Sequence, residues 1–155
     1  MENVVKIKGM FRVRIRDEDG SIAGDSGWFH NEVTNLGFNQ YIVSSLGSIA
    51  GSKFLTHAGI GTGTVPGAAA TALDGEVGTR QALTNATSNS SKTLNCLATF
   101  AAGWHDSGSA HDISNVGMWN TSSGGTLFAG NTFASSSCAS NQAVNVTYNL
   151  VFATA

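Results

Sequence analysis

Charge is scarce in this chain. Asp, Glu, Lys and Arg make up 12% of its 155 residues, and the net charge is -2. So little charge sets it apart from an ordinary cytosolic enzyme, and a hydrophobic share of 41% excludes a disordered tail. No apolar run is long enough to cross a bilayer as a helix. Met1-Glu2-Asn3-Val4-Val5-Lys6 leads straight into an alternating pattern and not into a secretory leader. The Asn-x-Ser/Thr triplets that begin at Asn85, Asn89, Asn120 and Asn145 therefore read as composition. Cysteine is limited to Cys96 and Cys138, which make no disulfide framework. Cys96 sits within an alternating stretch and reads as a small core residue; both are expected to be free thiols.

Catalytic motifs are equally thin. Gly59-Ile60-Gly61-Thr62-Gly63-Thr64 resembles a phosphate cradle, but Val65-Pro66-Gly67 follows, where a P-loop needs Lys-Ser/Thr opening a helix. The third glycine is also misplaced for a dinucleotide site. These glycines are expected to serve tight turns and a sheet edge. His105-Asp106 and His111-Asp112 bracket a Gly/Ser loop, yet their spacing matches no strong metal motif and reads as a polar loop. Serines abound without a Gly-x-Ser-x-Gly elbow. Glu32, Asp74 and Glu76 fall in no pattern that pairs carboxylates across a cleft. The reading is non-enzymatic, with no cofactor and no metal.

What is present is a β pattern. Val5, Ile7, Phe11, Val13 and Ile15 fall on one face of an alternating segment, with Gly9 as a possible bulge. Asp17-Glu18-Asp19-Gly20 signals a turn, and Ile22 to Val33 is expected to return as the partner strand. A short helix is expected at about residues 36–46. Asn35 would cap it, and Phe38, Ile42 and Leu46, with Tyr41 alongside, would form its apolar face. Residues 64–79 read as a long loop, with one helical turn at Ala68 to Leu73. Further strands are centred on Leu94–Phe100, Ile113–Trp119, Leu127–Phe133 and Val144–Phe152, the last two separated by a Ser-rich loop from Ser135 to Asn141. Short strands between polar turns predict one mainly β domain over residues 1–155, an antiparallel β-sandwich or jelly-roll-like barrel with one short helix.

The charge that exists is concentrated. Lys6, Lys8, Arg12, Arg14 and Arg16 share the other face of the first strand, while Lys53, Arg80 and Lys92 are the remaining cations. A solvated edge strand guarded by charge is one reading. Docking against an acidic protein surface is the other, with residues 1–20 acting as a basic-faced arm. Nucleic acid is not the expected partner, because the net charge is negative and no aromatic is interleaved on that face. Trp28, Trp104 and Trp119 offer stacking faces for a glycan if they are exposed, and core packing if they are not.

Several segments resemble a recurring class of tailed-bacteriophage virion proteins. They are Asn31-Glu32-Val33-Thr34-Asn35-Leu36-Gly37, the run from Gly59 to Ala69, and Ala98-Thr99-Phe100. Ile113 to Trp119, Leu127-Phe128-Ala129 and Val146 to Phe152 complete the set. Members usually carry Glu at the position of Asn115 and Arg near Gly130. The resemblance implies a small β-sandwich of the particle, a capsid decoration (cement) protein made in the host cytoplasm and carried on the outer capsid surface. Its implied partners are the major capsid protein and further copies of itself, as a trimer, with no membrane and no nucleic acid. A head-fibre or tail-fibre module binding a host-surface glycan is the alternative. A cell-wall hydrolase, for which only the His/Asp loop speaks, is a further rival.

Overall fold

The alternation at the start of the chain becomes a twelve-residue strand, β1 (Val5–Arg16). Phe11, Val13 and Ile15 are buried on its inner face, and the five cations line its outer face. In this computed structural model, which describes residues 4–88, 92–105 and 108–154, the side chains of 85–88 and 154 also lie outside the description. β1 pairs with β11 (Ala143–Thr154) without a register break, from Val5 opposite Thr154 to Arg16 opposite Ala143. Gly9 is therefore no bulge in that pairing. A Cβ there would lie 1.9 Å from Asn31 Oδ1 and 2.5 Å from the Tyr148 hydroxyl. Asn31 donates to that hydroxyl at 3.2 Å directly against the glycine, so the position admits no side chain.

Two antiparallel sheets face each other. The first has the order β2-β1-β11-β8-β7, with β3 also on β1. Its other members are β2 (Ile22–Asp25), β3 (Phe29–His30), β7 (Thr84–Ser88) and β8 (Thr93–Phe100). The second has the order β4-β10-β9-β5-β6. It comprises β4 (Glu32–Val33), β5 (His57–Gly61), β6 (Glu76–Ala82), β9 (His111–Trp119) and β10 (Leu127–Cys138). Strands make up 52% of the chain, and the architecture is a β-sandwich. Phe11, Phe100, Tyr148, Phe128 and Ile113 fill the space between the sheets. Cys96 and Cys138 are free and buried in the same core, and burial pushes the Cys96 thiol up to about 12.

Four expectations need correction. Ile22 to Val33 is not one return strand: Gly27, at φ +66°, interrupts it, and β4 crosses to the second sheet to pair with Ala129 and Gly130. Ser135 to Cys138 stay within β10: Ser135 falls in a register break between Thr132 and Ser136, and β9 offers partners again from Ser136 to Cys138. Residues 76–79 belong to β6 and not to the preceding loop. The Gly59–Gly61 part of the glycine run is not at an edge either, since β5 lies between β9 and β6. The run's glycines admit close neighbours: a Cβ on Gly61 would sit 2.4 Å from Asn115 Oδ1, and one on Gly63 2.4 Å from the Asp74 carbonyl.

The helix spans residues 35–46, but with another cap and another phase. Thr34, not Asn35, is the N-cap, its hydroxyl accepting from the Gly37 N–H at 2.9 Å. Phe38–Val43 is π-helical, and the Ser44 N–H reaches the Asn39 carbonyl five residues back. The wider turn splits the expected face, so that Ile42 packs on the core and its i−4 and i+4 neighbours do not. Tyr41 is buried as expected, its hydroxyl donating to the Thr126 carbonyl, while Phe38 is exposed and Leu46 is 85% exposed.

Candidate docking site at the open half of the first strand

The five-cation stripe is not one surface. A hairpin about Asp17–Gly20 lays β2 against the second half of β1, opposing Arg14 to Asp25. Arg12 donates to both carboxylate oxygens of Asp25, at 2.9 and 2.6 Å, and Arg14 donates to it at 3.2 Å. The Arg12 hydrogen bonds hold the Asp25 carboxyl well below its ordinary range, with help from the Gly27 N–H and Arg14. Arg16 donates to Asn145 Oδ1 at 2.8 Å and to the Gly20 carbonyl at 3.0 Å. These three cations are thus engaged within the fold. Lys6 and Lys8 form no salt bridge among the described residues, so the available charge is confined to the first half of the strand.

That same half is uncovered. On the edge away from β11, β3 meets β1 at Met10 and Phe11, and β2 meets it at Arg14–Arg16. Before them, the Asn31 N–H donates to the Gly9 carbonyl. No described strand lies beside Val5–Lys8 on that edge. A recess of about 270 Å³ opens there, lined by Ile7, Lys8, Asn31, Glu32 and Phe38. An apolar cleft of about 290 Å³ lies across the helix, lined by Tyr41, Leu46, Phe54, Leu94, Leu150 and Phe152. Ile7 faces Phe152 across the β1–β11 pair, so the open half of β1 runs into the cleft. Val5 on the open half of β1 is 62% exposed, and Phe54 in the cleft is 67% exposed.

The tryptophans separate clearly. Trp28 is exposed, with the Arg12 guanidinium 6.0 Å from its ring centroid, so an aromatic does border the basic face. Trp104 is buried against Phe100 and His105. Trp119 is 1% exposed, and the Arg80 guanidinium lies 3.4 Å from its ring centroid. Glu76 holds that guanidinium in a two-point pair, with Nη2 to Oε2 at 2.9 Å. Neither buried ring can receive a ligand, because its faces are already occupied. The stacking expectation therefore narrows to Trp28.

His105 packs in the interior against His111, with ring centroids 4.9 Å apart, while Asp106 and Ser107 lie outside the described residues, as do Asn89 to Ser91. Among the described residues no three His, Cys, Asp or Glu side chains gather to hold a metal. Asn115 is fully buried, and its amide donates to the carbonyls of Thr64 at 3.1 Å and Asp74 at 2.8 Å. Thr64 in turn donates from its N–H and hydroxyl to Asp74. This cluster fastens the loop between β5 and β6 to β9.

Sequence reasoning found the basic face but missed its division. The available signal was hairpin geometry, since a turn at Asp17–Gly20 brings Asp25 alongside Arg14. The exposed apolar set was missed because the helix was read at a regular period. Compared with protein families, curated proteins and solved structures, the chain finds no match.

Proposed function

We propose that this chain is a non-enzymatic structural protein of a tailed-phage particle, a decoration protein that binds the major capsid protein on the outer capsid surface and stabilises the lattice. The segment resemblances set out above suggest the particle. The observation that carries the docking role is the bare first half of β1, where Lys6 and Lys8 form no salt bridge among the described residues and Val5 is exposed, with the apolar cleft of Leu46 and Phe54 reached through Phe152 opposite Ile7. Charge steers and orients such an encounter, and apolar area holds it. Exposed apolar side chains gathered on one cleft, as Leu46 and Phe54 are, often mark a surface that meets a partner. Assembly of three copies on the lattice belongs to the same proposal. Co-sedimentation with undecorated capsids at low and high salt is the test: saturable binding that weakens with salt is expected, and no binding at either salt would overturn it.

One observation favours a second reading, a fibre module that binds a host-surface glycan. The exposed Trp28 ring stands beside Arg12 and Asp25, an aromatic platform with polar neighbours. A glycan array probed with the native chain and with Trp28→Ala decides it. Binding that disappears in the variant would support the glycan reading, and an array without signal would remove it.

A further inference from the structure

The open half of β1 offers more than charge. Main-chain groups of a strand point alternately to its two edges. The Gly9 carbonyl meets Asn31 on the edge away from β11, and on the same edge the Val13 carbonyl accepts from the Ser26 N–H while the Val13 N–H donates to Ser26 Oγ. Val5 and Ile7, at even separations from Gly9, therefore direct their N–H and C=O groups to that edge, where no described strand meets them. Unpaired strand edges are templates for an added strand. The stretch from Val5 to Gly9 is about 13 Å long at the usual rise per residue.

The side chains select what would pair there. A second copy of the same edge is disfavoured, because antiparallel self-pairing brings lysine against lysine. An acidic strand has the opposite relation: its carboxylates fall on the outer face beside Lys6 and Lys8, and its intervening residues fall on the inner face beside Val5, Ile7 and Phe38. Glu32, which also lines the recess, opposes a third acid. We propose that the Val5–Gly9 edge accepts an extended segment of a partner protein as an added β-strand, with two acidic residues two positions apart and small apolar residues between and beside them. This rests on the reading of the open half of β1 as a docking site and specifies how the partner is held.

The probe is a seven-residue peptide with two aspartates two positions apart alternating with valine, compared with versions carrying lysine or serine in place of aspartate. NMR titration of the full chain is expected to move the amides of Val5 to Gly9 with the aspartate peptide alone, and to slow exchange of the Val5 and Ile7 N–H groups at least about fivefold. Val5→Pro removes an N–H that faces the open edge and spares the β11 ladder. It is expected to weaken the peptide about tenfold with little change in Tm, and Lys6→Ser/Lys8→Ser is expected to abolish the salt dependence. An aspartate peptide that moves no amide of Val5 to Gly9, or a lysine peptide that binds as well, overturns the proposal. Peptide binding without capsid binding would leave the edge standing and remove the decoration role. Capsid binding unchanged by Val5→Pro would do the reverse.

Discussion

Asn115 shows how narrowly a single amide is specified. Its two N–H groups point at the Thr64 and Asp74 carbonyls in a fully buried site, an arrangement that a carboxylate cannot reproduce. Asn115→Asp is expected to destabilise the fold by about 2–4 kcal/mol at neutral pH, since it buries a charge against two carbonyl oxygens. Urea unfolding would measure this, and the loss should shrink in acid as the introduced carboxyl protonates. Asp25 titrates in the opposite sense. Its carboxyl is held low by Arg12 first, so its contribution is present above the ordinary carboxyl range and is lost as pH falls through the depressed folded value. Thermal melts should thus decline below about pH 4, and less steeply in Asp25→Asn. The pair lies at the surface, where water and salt screen it, so its removal should lower stability only slightly at pH 7. The sequence marked the Arg stripe plainly, because strand alternation needs no tertiary information. Asp25 as its partner depended on hairpin register, which a bulge between Ile15 and Arg16 shifts.

Strands were more legible than the helix, and the reason is physical. A strand's side-chain period is fixed at two, so Phe11, Val13 and Ile15 declare their face whatever they pack against. Val144, Val146, Tyr148 and Leu150 do so equally. A helix can change its period, and Phe38–Val43 does so by bonding across five residues. The expected face is therefore split: Tyr41 is buried and Ile42 packs on the core, while Phe38 and Leu46 turn outward. Tyr41→Ala is expected to lower stability by about 3–5 kcal/mol, whereas Leu46→Ala should change it by less than about 0.5 kcal/mol. Equilibrium unfolding of the two variants distinguishes the π-helical phase from a regular one; a larger loss at Leu46 would restore the regular stripe. The glycine run misled in a similar way. Gly59, Gly61 and Gly63 were read as turn-formers, yet none has a positive φ, and what demands glycine is the close approach of Glu76, Asn115 and Asp74.

The sandwich as a unit keeps its two ends different. At one, β2 and Asp25 cover and neutralise the second half of β1; at the other, the helix leaves an apolar cleft open and β1 ends bare. The fold class followed from the spacing of turns and strands, but this asymmetry did not, because it depends on which short strands find β1. The decoration proposal assigns docking to the bare end and leaves Arg12 and Arg14 to hold β2 in place. Capsid co-sedimentation of two charge-removing variants, Lys6→Ser/Lys8→Ser and Arg12→Gln/Arg14→Gln, tests that assignment most directly. The lysine variant should lose capsid affinity by at least about tenfold and keep its native Tm, while the arginine variant should bind capsids with little change and melt slightly earlier. Full binding by the lysine variant, with binding lost in a folded arginine variant, would place docking at the covered end and contradict the account.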